Sequence, residues 1–431
     1  MSGATLLLCH RLPFPPNKGD KIRSHALLRH LAARGVVHLA CFIDAAEDLD
    51  YREEVCRLAG GKCLFVPTAG TTKGLSAARA LLLGEPMTTA YFGSQKVSRW
   101  LRALVASEQL ANVVVFGSAM APYVLGDKNL ARRALFDMVD VDSDKWRQYA
   151  AVSTALPRWI YAREAAAIFK LERTAAQAFG RTLLVSPFEA DTFRQLAPES
   201  ASKVSALGNG VDLDFFSSAP RASPFTSGER AIVMTGRMDY RPNVDGAAWF
   251  AQQVAPRLFA KVPSAHVYFV GSSPPWALRR LNGAKITVTG AVDDIRPYIQ
   301  AADVVVAPLL IARGVQNKVL EAMAMGKAVV ATHEATRALD VESGVHLWIE
   351  NDPARFALAV EQALEGSQRQ AVMANARSYV EQNHDWGRIF VALDRMLADL
   401  AHGARRAGEV AANDSGEAGL ALKSGITGAK V

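Results

Sequence analysis

Three groups of residues in this chain have types and spacings that can do chemistry. The first is "RGVQNKVLEAM", where Arg313, Gly314, Gln316, Asn317 and Lys318 surround the start of a helix-period segment and Glu321 follows about one turn later. A helix N-terminus has free N–H groups and a positive dipole end, so this loop suits an anion such as a diphosphate. Glu321 then reaches polar groups beside that anion. The second is Gly236–Arg237, directly after the apolar run "AIVMT". Cations from two different loops can clamp one diphosphate through charge-assisted bonds and hold the charge it gains on leaving. The third is Asp140, Asp142 and Asp144 after "LFDMV", where a carboxylate can accept a hydroxyl proton. Each group also has a plainer reading. Lys318 and Glu321 would sit on a solvated loop, and the aspartates would cap the helix that follows.

The elements around these residues are strands alternating with helices. Asp303–Leu310 is a β-branched run bounded by turn signals, then come loop, helix (Gln316–Met325), Gly326 and a second run from Ala328. Continuous apolar runs of this kind mark strands buried on both faces, and the order is a βαβ unit of a parallel sheet. The same pattern opens the chain. A strand at Ala4–Arg11 enters a proline-rich loop, Gly19 permits a tight backbone approach, and Asp20 is placed to cap a helix with Ile22, Leu27, Leu28 and Leu31 on its apolar face. Lys18, Lys21 and Arg23 there are expected either to face phosphate or headgroups, or to be a solvated helix start. Further strands are expected at Val36–Asp44, Lys62–Pro67, Asn112–Ser118, Leu135–Val139 and Thr182–Ser186, with a long helix at Pro157–Phe179. Asn243 reads as the cap of the helix after Arg237. Gly208–Asn209–Gly210 makes a sharp turn fit for a hinge. No GxGxxG occurs, which disfavours a nicotinamide-binding start.

Composition sets the bounds. The 431 residues, half of them hydrophobic, are enough for two or three domains. No apolar run approaches the roughly 18–20 residues of a membrane span. The four cysteines have no metal or redox spacing and are expected to be reduced core thiols in a cytoplasmic protein. The net charge of +7 is uneven. Residues 1–205 hold 26 Lys and Arg against 19 Asp and Glu (26 − 19 = +7), and the remainder balances (23 − 23 = 0). Without a nucleic-acid motif, an anionic membrane is a better partner for the basic half than nucleic acid. The stretch Thr71–Leu83 and the residues after it mix basic and apolar side chains, as a membrane-surface helix or an ordinary packed helix would.

"NKVLEAMAMGKAVVAT" resembles the donor-site segment of GT-B glycosyltransferases of family 4, and with "RGVQ" before it resembles the sugar transferases of exopolysaccharide and PEP-CTERM (exosortase) loci. "VSPFEADTF", "ALGNGVDLDFF" and "TGRMD" resemble other stations of that family. The resemblance covers about residues 4–400. It implies an α/β chain of GT-B type, two Rossmann-like domains with parallel sheets facing across a cleft: 1–212 for the acceptor, 213–385 for the nucleotide sugar, a terminal helix at 386–402 crossing back, and a disordered tail at 403–431. It further implies Glu321 on the nucleotide ribose, Gly236, Arg237 and Lys318 on the diphosphate, and Val292 with its backbone at the base. Asp140, or else Asp142, would face the reaction centre, and Gly19, Lys18 and Lys21 would lie on the acceptor side. "DVD" also matches the metal-binding DxD of GT-A transferases, but GT-B enzymes generally need no divalent metal for the diphosphate, so no metal or cofactor is expected. Arg313 departs from the family, which usually has a second glutamate eight positions before Glu321 as partner of the donor sugar and its leaving phosphate.

The expected activity is therefore transfer of a sugar from a nucleoside diphosphate to a hydroxyl of a lipid-linked or growing exopolysaccharide, with retention, by a cytoplasmic protein peripheral to the inner face of the membrane. Two rivals remain at this point: a GT-B-fold nucleotide-sugar epimerase, and a non-catalytic sugar-nucleotide-binding protein. The epimerase would need further acids and histidines that the sequence does not cluster.

Overall fold

The computed structural model describes residues 3–68, 80, 84–312 and 314–403. Arg313, all of Thr71–Leu83 except Ala80, and the tail beyond residue 403 lie outside the described residues. The chain divides into two compact units. The first runs to Leu184 and takes in Phe193–Ser205 and the chain from Val391; the second comprises Val185–Thr192 and Ala206–Phe390.

The first unit is built on seven strands: β1 (Ala4–Cys9), β2 (Val37–Ile43), β3 (Gly60–Pro67), β4 (Leu110–Phe116), β5 (Ala134–Val139), β6 (Arg181–Leu184) and β7 (Val204–Ala206), in the order β3-β2-β1-β4-β5-β6-β7. The pairings from β3 through to β6 are parallel. Their apolar runs are continuous because both faces are covered: Leu6, Leu7, Leu8, Val113, Val114 and Val115 are fully buried. Helix α1 (Gly19–Ala32) links β1 to β2, and two packed helices, α2 (Asp142–Ala151) and α3 (Ala155–Ala178), link β5 to β6.

The second unit repeats the plan with β8 (Arg230–Thr235), β9 (Ala265–Val270), β10 (Ile286–Gly290), β11 (Val304–Ala307), β12 (Ala328–Ala331) and β13 (Trp348–Ile349). Their order is β10-β9-β8-β11-β12-β13, again parallel throughout. Helix α4 (Arg241–Trp249) follows β8 and helix α5 (Asn317–Ala324) follows β11. In both sheets the strand order reverses beside the first strand, between β1 and β4 and between β8 and β11. Loops diverge there beyond the carboxyl ends of the strands, which is where open parallel sheets bind ligands.

Candidate functional site

In the second unit the switch point is occupied by the residues that the sequence singles out. Gly236 directly follows β8 and makes a very close backbone approach to the end of β9: a Cβ on Gly271 would lie 1.7 Å from the Gly236 carbonyl oxygen. The two strand ends are stitched by Gly236 N–H to the Val270 carbonyl (3.0 Å) and Met238 N–H to the Ser272 carbonyl (2.8 Å). Gly236 also leaves room for two side chains, since its own Cβ would meet Asn243 Nδ2 at 2.8 Å and Lys318 Nζ at 2.9 Å.

Those two side chains form the centre of the site. Lys318 Nζ donates to Asn243 Oδ1 (2.5 Å), and Asn243 Nδ2 donates to the Arg237 carbonyl (2.7 Å). Asn243 therefore joins the β8 loop to the β11 loop. This corrects its reading as a helix cap: Tyr240 occupies the N-cap position of α4, and Asn243 lies in the first turn with its amide turned inward. The Arg237 guanidinium is forked onto Asp239, at 3.0 and 2.5 Å, with both side chains about 40% exposed.

Glu321 sits one turn beyond Lys318 on α5 and is 9% exposed. Its carboxylate makes no hydrogen bond or ion pair among the described residues. Burial pushes it up to about 7, against the opposing pull of Lys318. Burial likewise brings Lys318 down to about 8, with Glu321 pulling the other way. A cation in the first turn of a helix is also unfavourable to the helix dipole. Asn317, beside Lys318, accepts from Asn209 Nδ2 (3.3 Å). Asn209 is held in turn by His384, whose Nδ1 meets the Asn209 carbonyl at 2.7 Å. Gly314 has the left-handed φ of +58° that its loop requires, and Gln316 is the N-cap of α5. Val292 lies half-buried in the loop after β10, the outer strand of the sheet.

In the first unit, His10 and Arg11 follow β1. The His10 ring stacks on Phe116 with centroids 5.7 Å apart, and its Nε2 lies 3.2 Å from Asp20 Oδ2. Gly117, at φ +84°, gives this ring its place, because a Cβ there would lie 2.6 Å from His10 Nδ1. Asp20 is not the helix cap, which is Lys18. Burial pushes the Asp20 carboxyl up, but His10 and Arg11 outweigh it and hold it well below the usual carboxylate range. Gly19 is exposed and Lys18 half-buried. Lys21 requires a correction. It is 1% exposed and bonded to both oxygens of Asp48 at 2.7 Å, so it does not face an acceptor. Arg23 is likewise buried, paired with both oxygens of Asp137 at 2.8 and 3.1 Å. These cations neutralise carboxylates under α1 instead of presenting charge.

Asp140 and Asp142 follow β5, whose last residue, Val139, has φ +70°. This is a strained conformation for a β-branched residue, of the kind kept where the surroundings over-determine it. Asp142 begins α2 and pairs with Lys145 at 3.0 Å; neither it nor Asp140 caps the helix, since Val141 is the N-cap. The next residue is anchored by Glu172 of α3, which accepts from Ser143 N–H (3.1 Å) and Ser143 Oγ (2.5 Å). Burial and the nearby charge of Asp142 push Glu172 up to about 8. Among the described residues no three His, Cys, Asp or Glu side chains are grouped to hold a metal ion.

Solved structures share this architecture. Sucrose-phosphate synthase from Thermosynechococcus elongatus matches with a TM-score of 0.68 and 16% identity, over 93% of this chain and all of its own. HepE from Anabaena, in complex with UDP and glucose, matches at 0.64 and 15%, over 92% of this chain and all of its own. WaaG, a glycosyltransferase involved in lipopolysaccharide biosynthesis, matches at 0.64 and 16%, over 91% and 99%. The chain has the GT-B fold. Residues 229–366 match the family of glycosyl transferases group 1, a span that contains Gly236, Arg237, Asn243, Lys318 and Glu321. The phosphatidyl-myo-inositol mannosyltransferase of Mycolicibacterium smegmatis is 28% identical over 202 residues, 45% of this chain and 52% of that protein. The chain thus spans about half the length of that curated relative. Within the GT-B fold, the Lys318 cluster belongs to the second parallel-sheet domain.

Proposed function

We propose that the protein is a glycosyltransferase that takes a sugar from a nucleoside diphosphate and delivers it, with retention, to a hydroxyl of a lipid-linked or growing exopolysaccharide on the cytoplasmic face of the membrane. The observation that carries this reading is the pair Lys318 and Glu321: one turn apart at a helix N-terminus, Glu321 buried and Lys318 half-buried, and neither in an ion pair at bonding distance among the described residues. Lys318 and Arg237 bind the diphosphate, and Glu321 accepts hydrogen bonds from the ribose hydroxyls. As the glycosidic bond breaks, negative charge builds on the leaving diphosphate, and cations fixed in place beforehand hold it more strongly than water would. Asn243 sets the ammonium of Lys318 against the backbone of Arg237, so one side chain positions both cations. The first unit takes the acceptor, with Asp140 or Asp142 receiving its hydroxyl proton. No metal takes part. Support comes from the match to glycosyl transferases group 1 and from HepE, a structural neighbour captured with UDP and with UDP-glucose. The exopolysaccharide acceptor rests on the sequence resemblance of residues 313–332.

The test is thermal melting of the purified protein with UDP-, GDP-, ADP- and TDP-sugars. Saturation at 100 times Kd stabilises the folded state by about 2.7 kcal/mol. One nucleotide class should raise the melting temperature, and Lys318→Ala should abolish the rise and lower transfer. A rise undiminished in Lys318→Ala removes that residue from the clamp, and no rise with any nucleotide sugar overturns the donor site.

A further inference from the structure

The hairpin of α2 and α3 in the first unit ends in a tip that a soluble fold does not need. Val152, Leu156 and Trp159 are 60%, 66% and 59% exposed, three large apolar side chains within eight residues. Ala155 and Pro157 between them are exposed as well. Single exposed apolar residues are ordinary, but a contiguous patch of this kind marks a contact surface. The tip is also held stiffly. Below it, Trp146 and Tyr149 of α2 meet Tyr161 of α3 with ring centroids 5.5 to 6.0 Å apart. The patch is thus presented on a braced support.

The charge around it has one sign. Residues 145–163 contain Lys145, Arg147, Arg158 and Arg163 and no carboxylate. The next residue, Glu164, is fully buried and turned inward, accepting from the backbone N–H groups of Met87 and Thr88 at 2.9 and 3.2 Å. Arg158 is exposed, and Arg147 is half exposed, with Asp144 at 3.2 Å as an exchangeable partner. Tryptophan and tyrosine beside arginine, around aliphatic side chains, are suited to the headgroup layer of a bilayer, where apolar tips enter and cations stay with phosphate.

We propose that the α2–α3 tip is the surface by which this protein docks on an anionic lipid bilayer, with Leu156 and Trp159 entering the interface and Arg147 and Arg158 on lipid phosphates. The ten residues of α2 span about 15 Å at 1.5 Å per residue, so the tip stands roughly that far from the loop carrying Asp140. A docked tip would bring a lipid headgroup's attached sugar to that loop. The proposal rests on the reading of a lipid-linked acceptor, and attachment to vesicles separates the two, since it is scored without donor, acceptor or turnover.

The experiment is co-sedimentation of the full chain with vesicles of phosphatidylcholine containing phosphatidylglycerol, and with vesicles of phosphatidylcholine alone. The intact protein is expected to sediment with the anionic vesicles. Arg147→Gln with Arg158→Gln, and separately Leu156→Ser with Trp159→Ser, should each weaken binding roughly tenfold or more. Both pairs should leave the melting temperature unchanged, because the altered side chains are largely exposed. Absence of binding to anionic vesicles overturns the proposal, as does binding undiminished by the Leu156 and Trp159 changes. A dimer in light scattering that those changes convert to monomer would assign the tip to a second copy of the chain and overturn it too.

Discussion

Replacing Glu321 by Gln should stabilise the folded protein and at the same time disable it. Burial raises the Glu321 carboxyl from its ordinary 4.5 to about 7. A group whose folded value is raised contributes stability that is complete below the unfolded value, here 4.5, and lost as the pH climbs through 7. Above pH 7 the carboxylate is ionised in a site that disfavours it, and the shift corresponds to about 3 kcal/mol at 1.36 kcal/mol per unit. Gln keeps the shape and removes the charge. Part of the gain is returned, because Lys318 loses the one negative charge that supports its own ionisation. A net gain of about 2 kcal/mol should remain at pH 8, worth roughly 4–8 °C in melting temperature for a domain of this size. At pH 4.5 the variant and the parent should melt together. The assay is thermal melting of both proteins from pH 4.5 to 8.5, repeated with the nucleotide sugar found to stabilise the parent. A variant that melts lower than the parent at pH 8 would show that the fold itself needs the carboxylate, and would refute the inference that Glu321 is kept for a ligand.

Two further expectations follow from the same site. Donor capture requires Lys318 protonated and Glu321 ionised, so kcat/KM for the nucleotide sugar should fall on the acid side below about 7 and on the alkaline side above about 8; a flat profile across pH 6 to 9 would exclude both groups from binding. Gly271→Ala should destabilise the second unit by about 3 kcal/mol or more, since its Cβ would meet the Gly236 carbonyl oxygen at 1.7 Å, with the nearest atoms all in the Gly236 backbone and no flexible side chain to yield. Denaturant unfolding of that variant checks this, and an unchanged midpoint would mean that the β8 and β9 ends are not held as closely as described.

Much of the second unit was legible in the sequence because its signals are local. A buried parallel strand announces itself as an unbroken run such as "DVVVAPLL", and Lys318 and Glu321 share a helical turn, so their common face follows from spacing alone. What was not legible depends on partners far along the chain. Asn243 looks like a cap beside Pro242, yet its role is set by Lys318, 75 residues away. Lys21 and Arg23 look like a basic helix start, yet Asp48 and Asp137, 27 and 114 residues distant, draw them into the core. Gly271 directly follows an apolar strand, and only the sheet order that sets β9 beside β8 shows what it touches. No local pattern distinguishes a cation that meets solvent from one that meets a buried carboxylate.

The contrast between these cations also says where binding resides. Under α1 each buried charge has an opposite charge in bonding distance: Lys21 with Asp48, Arg23 with Asp137. Removing one member of such a pair strands the other and costs several kcal/mol, so these pairs hold the helix on the sheet. Glu172 is buried without a cation at bonding distance among the described residues, but Ser143 gives it two donors, and it holds the start of α2 in place. Lys318 and Glu321 have no ion pair at bonding distance among the described residues. The amide of Asn243 satisfies one bond of the ammonium without neutralising it, and the carboxylate of Glu321 is left with no donor among the described residues. Two charges at a switch point of the sheet, supported only by each other's longer-range attraction, leave the fold less stable than it could be. In the proposed function that deficit is recovered when the diphosphate of a nucleotide sugar brings negative charge to Lys318 and its ribose brings hydroxyl donors to Glu321.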